Sequence, residues 1–292
     1  MLGQHPELYA LPELHLFRTE TVGEWLRLSR TESFEMEHGL LRAVAELCYN
    51  EQTEQGVLEA RGWLQRRSHI TTGLLMEELA ELIAPRALIE RSPSHVYSPA
   101  ILRRMLEMFP MARFVHLTGH PRSYCETVMN ALRTRGFGPG DPPSDWLSYL
   151  AWFPREPGSP APDVPDPQWA WLTLHRNIDA FLETVPADQQ RRFKGEDVLS
   201  GDEGCLADFA EWLKLRHDDS AVEAMRHPER SPFARPGPAT ATSGSDAFMF
   251  GGCDYPSEWR SPGSLDGNVG WLPDDTGLLP PVKELAAKFG YQ

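Results

Sequence analysis

The stretch RALIERSPSHVYSPAILRRMLEMFPMARFVHLTGHPRSYCETV, Arg86 to Val128, decides the fold class. Arg86–Glu90 and Arg113–Thr118 are short apolar runs that each stop at a polar loop, as buried strands of a parallel sheet do. Between them Ile101, Leu102, Met105, Leu106 and Phe109 recur at helical spacing until Pro110 ends the helix. The segment Tyr124–Leu132 reads as a further helix, broken by Gly136, Gly138, Pro139 and Gly140.

Working outward, Met36–Cys48 and Leu74–Ile83 are earlier helix candidates. Trp169, Leu172, Ile178, Phe181 and Val185 suit one face of a later helix, and Leu206, Phe209, Ala210 and Leu213 suit another. Strands separated by helices predict an α/β layered fold, with ligands beyond the carboxyl ends of the strands. The loops after Glu90 and Thr118 are therefore the places to look for a site. Two stretches are not built like core: Arg155–Pro167, and the Pro-, Gly- and Ser-rich run from His217 to about Pro281. Disorder is one reading of both; in the run 217–281, Phe233, Phe248, Phe250, Tyr255, Trp259 and Trp271 argue against a purely solvated linker and for a lid, extension or partner-binding segment. Val282–Phe289 reads as a short helix that docks the tail.

The 292 residues, 41% of them hydrophobic, suffice for a single large domain over 1–292. A formal charge of -14 disfavours broad contact with nucleic acid or an anionic membrane, so a small anionic ligand needs a local basic pocket. No stretch approaches the roughly 20 apolar residues of a membrane span, and MLGQHPELYA lacks the blocks of a signal peptide, so the chain reads as cytoplasmic. Cys48, Cys125, Cys205 and Cys253 lie far apart, without metal or redox spacing, and read as reduced thiols. No metal is implied, and no oligomeric state is readable.

Four blocks together resemble the sulfotransferases that use 3′-phosphoadenosine 5′-phosphosulfate. They are MLGQHPELYALPELHLF (Met1–Phe17), ALIERSPSH (Ala87–His95), FPMARFVHLTGHPRSYCETV (Phe109–Val128) and RFKGEDVLSGDEGCLADFAEWLKL (Arg192–Leu215). The similarity is greatest to the bacterial and polyketide-synthase-associated type, with the tyrosylprotein enzymes more distant. It implies a P-loop-type three-layer fold, a central parallel sheet flanked by helices. In that family a first strand and a phosphate loop precede the helix that ends in a motif like MLGQHPEL; here Met1 would sit inside that helix, and strand and loop are missing. Either the chain is a fragment that starts late or it is a relative that has lost catalysis. The first is favoured, because a fold that begins without its central strand leaves core uncovered.

The resemblance assigns roles residue by residue. Glu13 falls at the catalytic base of the tyrosylprotein members, where a carboxylate takes the acceptor's proton; a capping or salt-bridged glutamate is the other reading. His15 is a second possible base, or a core or surface histidine. Arg91 stands where relatives carry a lysine that stabilises the transferring sulfate, and a guanidinium can offer two parallel hydrogen bonds there; the alternative is an ion pair with Glu90 or a neighbour. Ser92 and Ser94 can add hydroxyl donors or simply form the turn around Pro93.

On the 3′-phosphate, relatives use an arginine and, eight positions on, a serine; here these are Gly119 and Thr127. Losing that charged contact costs about 1.5 to 3 kcal/mol. Arg122 is the candidate to compensate, or else a solvated surface arginine. Glu196 and Asp197 match a motif with an aromatic residue just before the glutamate, near the adenine, and Gly195 replaces it. The function implied is sulfuryl transfer to a hydroxyl of a small-molecule or carrier-bound acceptor. A non-catalytic binding or interaction module is the alternative, and a nucleotide kinase is disfavoured because no phosphate-loop lysine is present.

Overall fold

The computed structural model describes residues 1–32, 35–135, 150–155, 163–244, 263–272 and 276–292. They fall into two compact units, Met1–Arg113 with Val198–Tyr255, and Phe114–Asp197 with Pro256–Gln292.

In the first unit, strand β1, Leu8–Ala10, runs parallel to β2, Ala87–Ile89, with Leu8 opposite Ala87 and Ala10 opposite Ile89. The expected helix around Met1 is instead one 3-10 turn, Leu2–Gln4. Pro6 follows it, lacking the N–H that helical bonding would use, and His5 Nε2 lies 2.7 Å from the Arg216 carbonyl oxygen.

Helices α1 (Val22–Glu32), α2 (Glu35–Tyr49), α3 (Glu54–Arg66) and α4 (Thr72–Leu82) fill the connection between β1 and β2. Thr53 and Thr71 cap α3 and α4, their side chains accepting from Gly56 N and Leu74 N. The helices bury Trp25, Leu40, Leu41, Val44, Leu64, Leu75 and Leu79, each contributing roughly 1.5–3 kcal/mol by leaving water. After β2 comes α5, Pro99–Met108, with proline at its first position and Ser98 as N-cap.

In the second unit, β3 (Phe114–Thr118) pairs in parallel with β4 (Gln190–Lys194), and α6 (Pro121–Arg135) and α7 (Gln168–Leu182) lie between them in sequence. Helix α6 begins three residues before the expected Tyr124, because Pro121 is pre-set for a first helical position. A brief helix α8 (Gly195–Leu199) follows β4, then α9 (Glu203–Trp212), α10 (Asp219–Met225) and finally α11 (Pro280–Lys288).

The α/β class therefore holds, with both strand pairs among the described residues parallel. Among the described residues the parallel strands form two pairs, β1 with β2 and β3 with β4, consistent with the expected α/β fold. The tail helix docks as expected: Phe289 packs against His116, Trp171 and His175. Two aromatics of the 217–281 run, Phe233 and Trp271, are buried; Phe248, Phe250, Tyr255 and Trp259 lie outside the described residues, as do Gly136, Gly138, Pro139 and Gly140. Buried Arg42 fixes part of that run by donating to the carbonyls of Arg235 (2.7 Å) and Ser243 (3.1 Å). Of the Arg155–Pro167 stretch, residues 156–162 also lie outside the described residues.

Candidate functional site

Parallel pairing sends β1 and β2 out of their sheet side by side, so the segments after their carboxyl ends meet. Leu11 N prolongs the pairing by donating to Ile89 O (3.0 Å), and buried Leu11 and Leu14 pin the segment to the core. Glu13 and Arg91 thereby face each other, with Arg91 Nη1 3.6 Å from Glu13 Oε1. The other carboxylate oxygen, Oε2, is 3.7 Å from His15 Nε2. Both distances are charge contacts, too long for hydrogen bonds. Arg91 keeps 43% of its side chain exposed and Glu13 33%, so the pair can be reached from solvent.

Below it lies a buried polar net. The Glu90 carboxylate accepts from Leu14 N (3.3 Å), Ser92 N (3.0 Å) and the Ser92 hydroxyl, and its Oε2 is 3.0 Å from His95 Nδ1. Ser92 Oγ in turn accepts from His15 N at 2.7 Å, and Ser94 Oγ is 2.8 Å from His15 Nδ1. Glu90 thus joins the Glu13 loop to the Arg91 loop. It does not pair with Arg91, as one sequence reading allowed; Arg91 pairs with Glu13.

The electrostatics follow from these contacts. Burial pushes the Glu13 carboxyl up, but His15 and Arg91 beside it outweigh this and hold it below the usual carboxylate range. Burial lowers His95 more than Glu90 raises it, which holds it below the usual histidine range.

Helix α2 fixes the loop from behind. A Cβ on Gly39 would fall 2.0 Å from the Glu13 carbonyl oxygen and 2.8 Å from the Glu13 carbonyl carbon. Gly39→Ala is therefore expected to push the Glu13 loop off α2 and destabilise the chain by about 1–3 kcal/mol, the usual cost of overpacking. Urea unfolding checks the stability. A Glu13 carboxyl resonance that does not shift would contradict the displacement.

The loop after β3 lies in the second unit. His120 N donates to Glu196 Oε1 (2.7 Å) at the start of α6, so the protein's own carboxylate occupies that helix N-terminus. Glu196 Oε2 accepts from the Tyr291 hydroxyl (2.8 Å), whose ring meets the edge of His120. Arg122 donates to four backbone carbonyls, those of Ser264 (3.0 Å), Asn268 (2.7 Å), Asp266 (2.9 Å) and Gly267 (3.2 Å). The side chain of Thr127 donates to Ser123 O within its own helix. Among the described residues nothing lies within 4 Å of a Cβ placed on Gly119, and one on Gly195 would meet Thr118 O at 3.1 Å.

The structure thus brings Glu13, His15, Arg91, Ser92 and Ser94 together, and places Arg122 and Thr127 on α6 of the other unit. In the sequence Glu90 appeared only as an ion-pair alternative for Arg91, and His95 and Tyr291 were given no role. A buried acid directly after a strand was the available signal for Glu90; Tyr291 carried none. Among the described residues no group of three His, Cys, Asp or Glu side chains is arranged to hold a metal, and no helix is long and apolar enough to cross a membrane.

Two solved structures align with the whole chain. The sulfotransferase domain from the curacin biosynthetic pathway is similar with a TM-score of 0.72 and 20% identity, over 91% of that domain. The sulfotransferase domain from the Synechococcus PCC 7002 olefin synthase is similar with a TM-score of 0.70 and 25% identity, over 88% of its length. No family model matches the chain, and no curated protein matches it. The chain therefore has the sulfotransferase fold. The particular likeness is to sulfotransferase domains of biosynthetic systems, as the sequence blocks implied.

Proposed function

We propose that this chain transfers a sulfuryl group from 3′-phosphoadenosine 5′-phosphosulfate to a hydroxyl of a small-molecule or carrier-bound acceptor. One observation carries the reading: a carboxylate held ionised at Glu13 faces the half-exposed guanidinium of Arg91 across the carboxyl ends of two parallel strands. The cofactor supplies the activated sulfuryl group. Glu13 takes the acceptor's hydroxyl proton, and Arg91, with guanidinium N–H donors to spare beyond its contact with Glu13, neutralises negative charge on the sulfuryl oxygens. Positioning and charge neutralisation account for the rate, as in phosphoryl transfer.

The residues present fit the sulfuryl end of this cofactor and, as arranged, not its 3′-phosphate. Arg122 spends its guanidinium on backbone carbonyls, and Glu196 places negative charge at the start of α6. That arrangement favours a second reading, a non-catalytic binding or interaction module with the same fold.

Calorimetric titration with 3′-phosphoadenosine 5′-phosphate separates the two. The proposal predicts saturable binding, weakened about ten-fold or more by Arg122→Ala if Arg122 exchanges carbonyls for phosphate, a charged hydrogen bond being worth about 1.5–3 kcal/mol. Binding unchanged by Arg122→Ala would leave Arg122 as a clamp on the 264–268 segment. Absence of binding would favour the module.

A further inference from the structure

Three residues other than glycine adopt a left-handed backbone among the described residues: His15, Asn50 and Lys214. Asn50 and Lys214 follow helix ends, where that conformation is customary. His15 does not; with φ 53° it precedes a 3-10 turn, Leu16–Arg18, in a conformation unfavourable for a side chain with a Cβ. Two buried hydroxyls hold it there. Ser92 Oγ takes the His15 N–H at 2.7 Å, and Ser94 Oγ lies 2.8 Å from Nδ1. Glu90 fixes Ser92 in turn. The outcome of this strained, twice-anchored arrangement is that Nε2 points at Glu13 Oε2, 3.7 Å away, while Arg91 faces Oε1 at 3.6 Å. A local strain sustained by dedicated contacts marks a functional constraint.

We infer that His15 is a positioning residue, whose imidazole, aimed by Ser94 and by the grip of Ser92 on its backbone, fixes the Glu13 carboxylate opposite Arg91. This rests on the reading of Glu13 as the proton acceptor. When the Ser94 hydroxyl donates to Nδ1, the ring N–H sits on Nε2 and faces the carboxylate; the other neutral tautomer would turn a lone pair toward it. Each carboxylate oxygen then faces an N–H group, that of His15 at Oε2 and that of Arg91 at Oε1, and Glu13 stays oriented before an acceptor arrives. The charged or titratable groups around the pair are Arg91, Glu90 and His95.

The test is the pH titration of the Glu13 carboxyl carbon by NMR in the unaltered chain, His15→Gly and His15→Asn, with Glu13→Gln to assign the resonance. Glycine adopts the left-handed backbone without strain, so His15→Gly is expected to fold at least as stably. The midpoint for Glu13 is expected to move up toward the ordinary carboxylate range in both His15 variants. A merely structural His15 would alter the melting temperature and leave the midpoint in place, and that result overturns the inference. Where the unaltered chain transfers labelled sulfuryl groups, the acid limb of its rate profile should move up in the same two variants. Absence of transfer in the unaltered chain would remove the functional reading, while the titration still decides the role of His15.

Discussion

Glu13→Gln is expected to slow sulfuryl transfer by about a hundred- to ten-thousand-fold, the range typical for loss of a general base. The amide keeps the shape of the side chain but cannot take the acceptor's proton. The loss should therefore appear in kcat with KM little changed, because the removed interaction matters only as the proton moves. Arg91→Ala is expected to cost about a hundred- to a thousand-fold, as for removal of one donor to developing charge. Arg91→Lys should recover part of this, since an ammonium restores charge but not two parallel N–H donors. The two side chains face each other at 3.6 Å, so the double variant should lose less than the product of the single losses. Stability should hardly change in any of them, because an ion pair this exposed is worth about 0–1 kcal/mol. Initial-rate kinetics alongside urea unfolding separates these outcomes; an equal fall in rate and stability would make the pair structural.

The second large effect is acid sensitivity of the second unit. His116 Nε2 lies 2.8 Å from His175 Nδ1, and Arg192 Nε donates to His116 Nδ1 at 3.2 Å. Asp179 completes the cluster by accepting from Arg192 (2.6 Å) and Lys288 (2.7 Å). Burial, reinforced by Arg192 and Lys288, pushes His116 down to about 3; burial, reinforced by His116, pushes His175 down to about 3; and burial with Arg122 and Lys194 pushes His120 down to about 4. Each folded value lies below that of an unfolded histidine, so the folded state prefers the neutral ring. Their stabilisation is fully present above about pH 6.5 and is lost as pH falls toward the folded values. His116 and His175, the two pushed furthest down, together should cost about 3 kcal/mol per pH unit, or about 4 kcal/mol between pH 6.5 and 5. That is a large share of a typical stability of roughly 5–15 kcal/mol. Urea unfolding at pH 7 and pH 5, followed by tryptophan fluorescence with Trp171 beside His175, should show this fall. In that window the lowered carboxylates remain ionised, so replacing both histidines with glutamine should flatten the slope. An undiminished slope would place its origin elsewhere.

Much of the fold was legible because the signals were local. The strands at Ala87–Ile89 and Phe114–Thr118 and the helices α2, α5 and α7 show themselves through apolar runs and helical spacing. β1 was not legible, since three residues, Leu8–Ala10, are too few to display a period and sit between prolines at positions 6 and 12. β4, QRRFK, was hidden by composition: Phe193 alone is buried, while Arg191 and Arg192 lay their guanidinium groups over the rings of Phe193 and Phe289.

At the site, resemblance named Glu13 and Arg91, yet their meeting depends on parallel pairing of segments nearly eighty residues apart. The hydrogen bond between His15 N and Ser92 Oγ spans 77 residues and leaves no trace in spacing. Arg122 was legible as a cation after a strand, but its partners are backbone carbonyls 142 to 146 residues away, which carry no side-chain signature.

Incubating the unaltered chain with cofactor labelled on the sulfuryl sulfur, together with a panel of alcohols and phenols, tests the central claim most directly. The account predicts a labelled sulfate ester that forms in proportion to released 3′-phosphoadenosine 5′-phosphate and is nearly abolished by Glu13→Gln. Release of nucleotide and ester at equal rates from the unaltered and Glu13→Gln chains, or no ester from any acceptor, would contradict it.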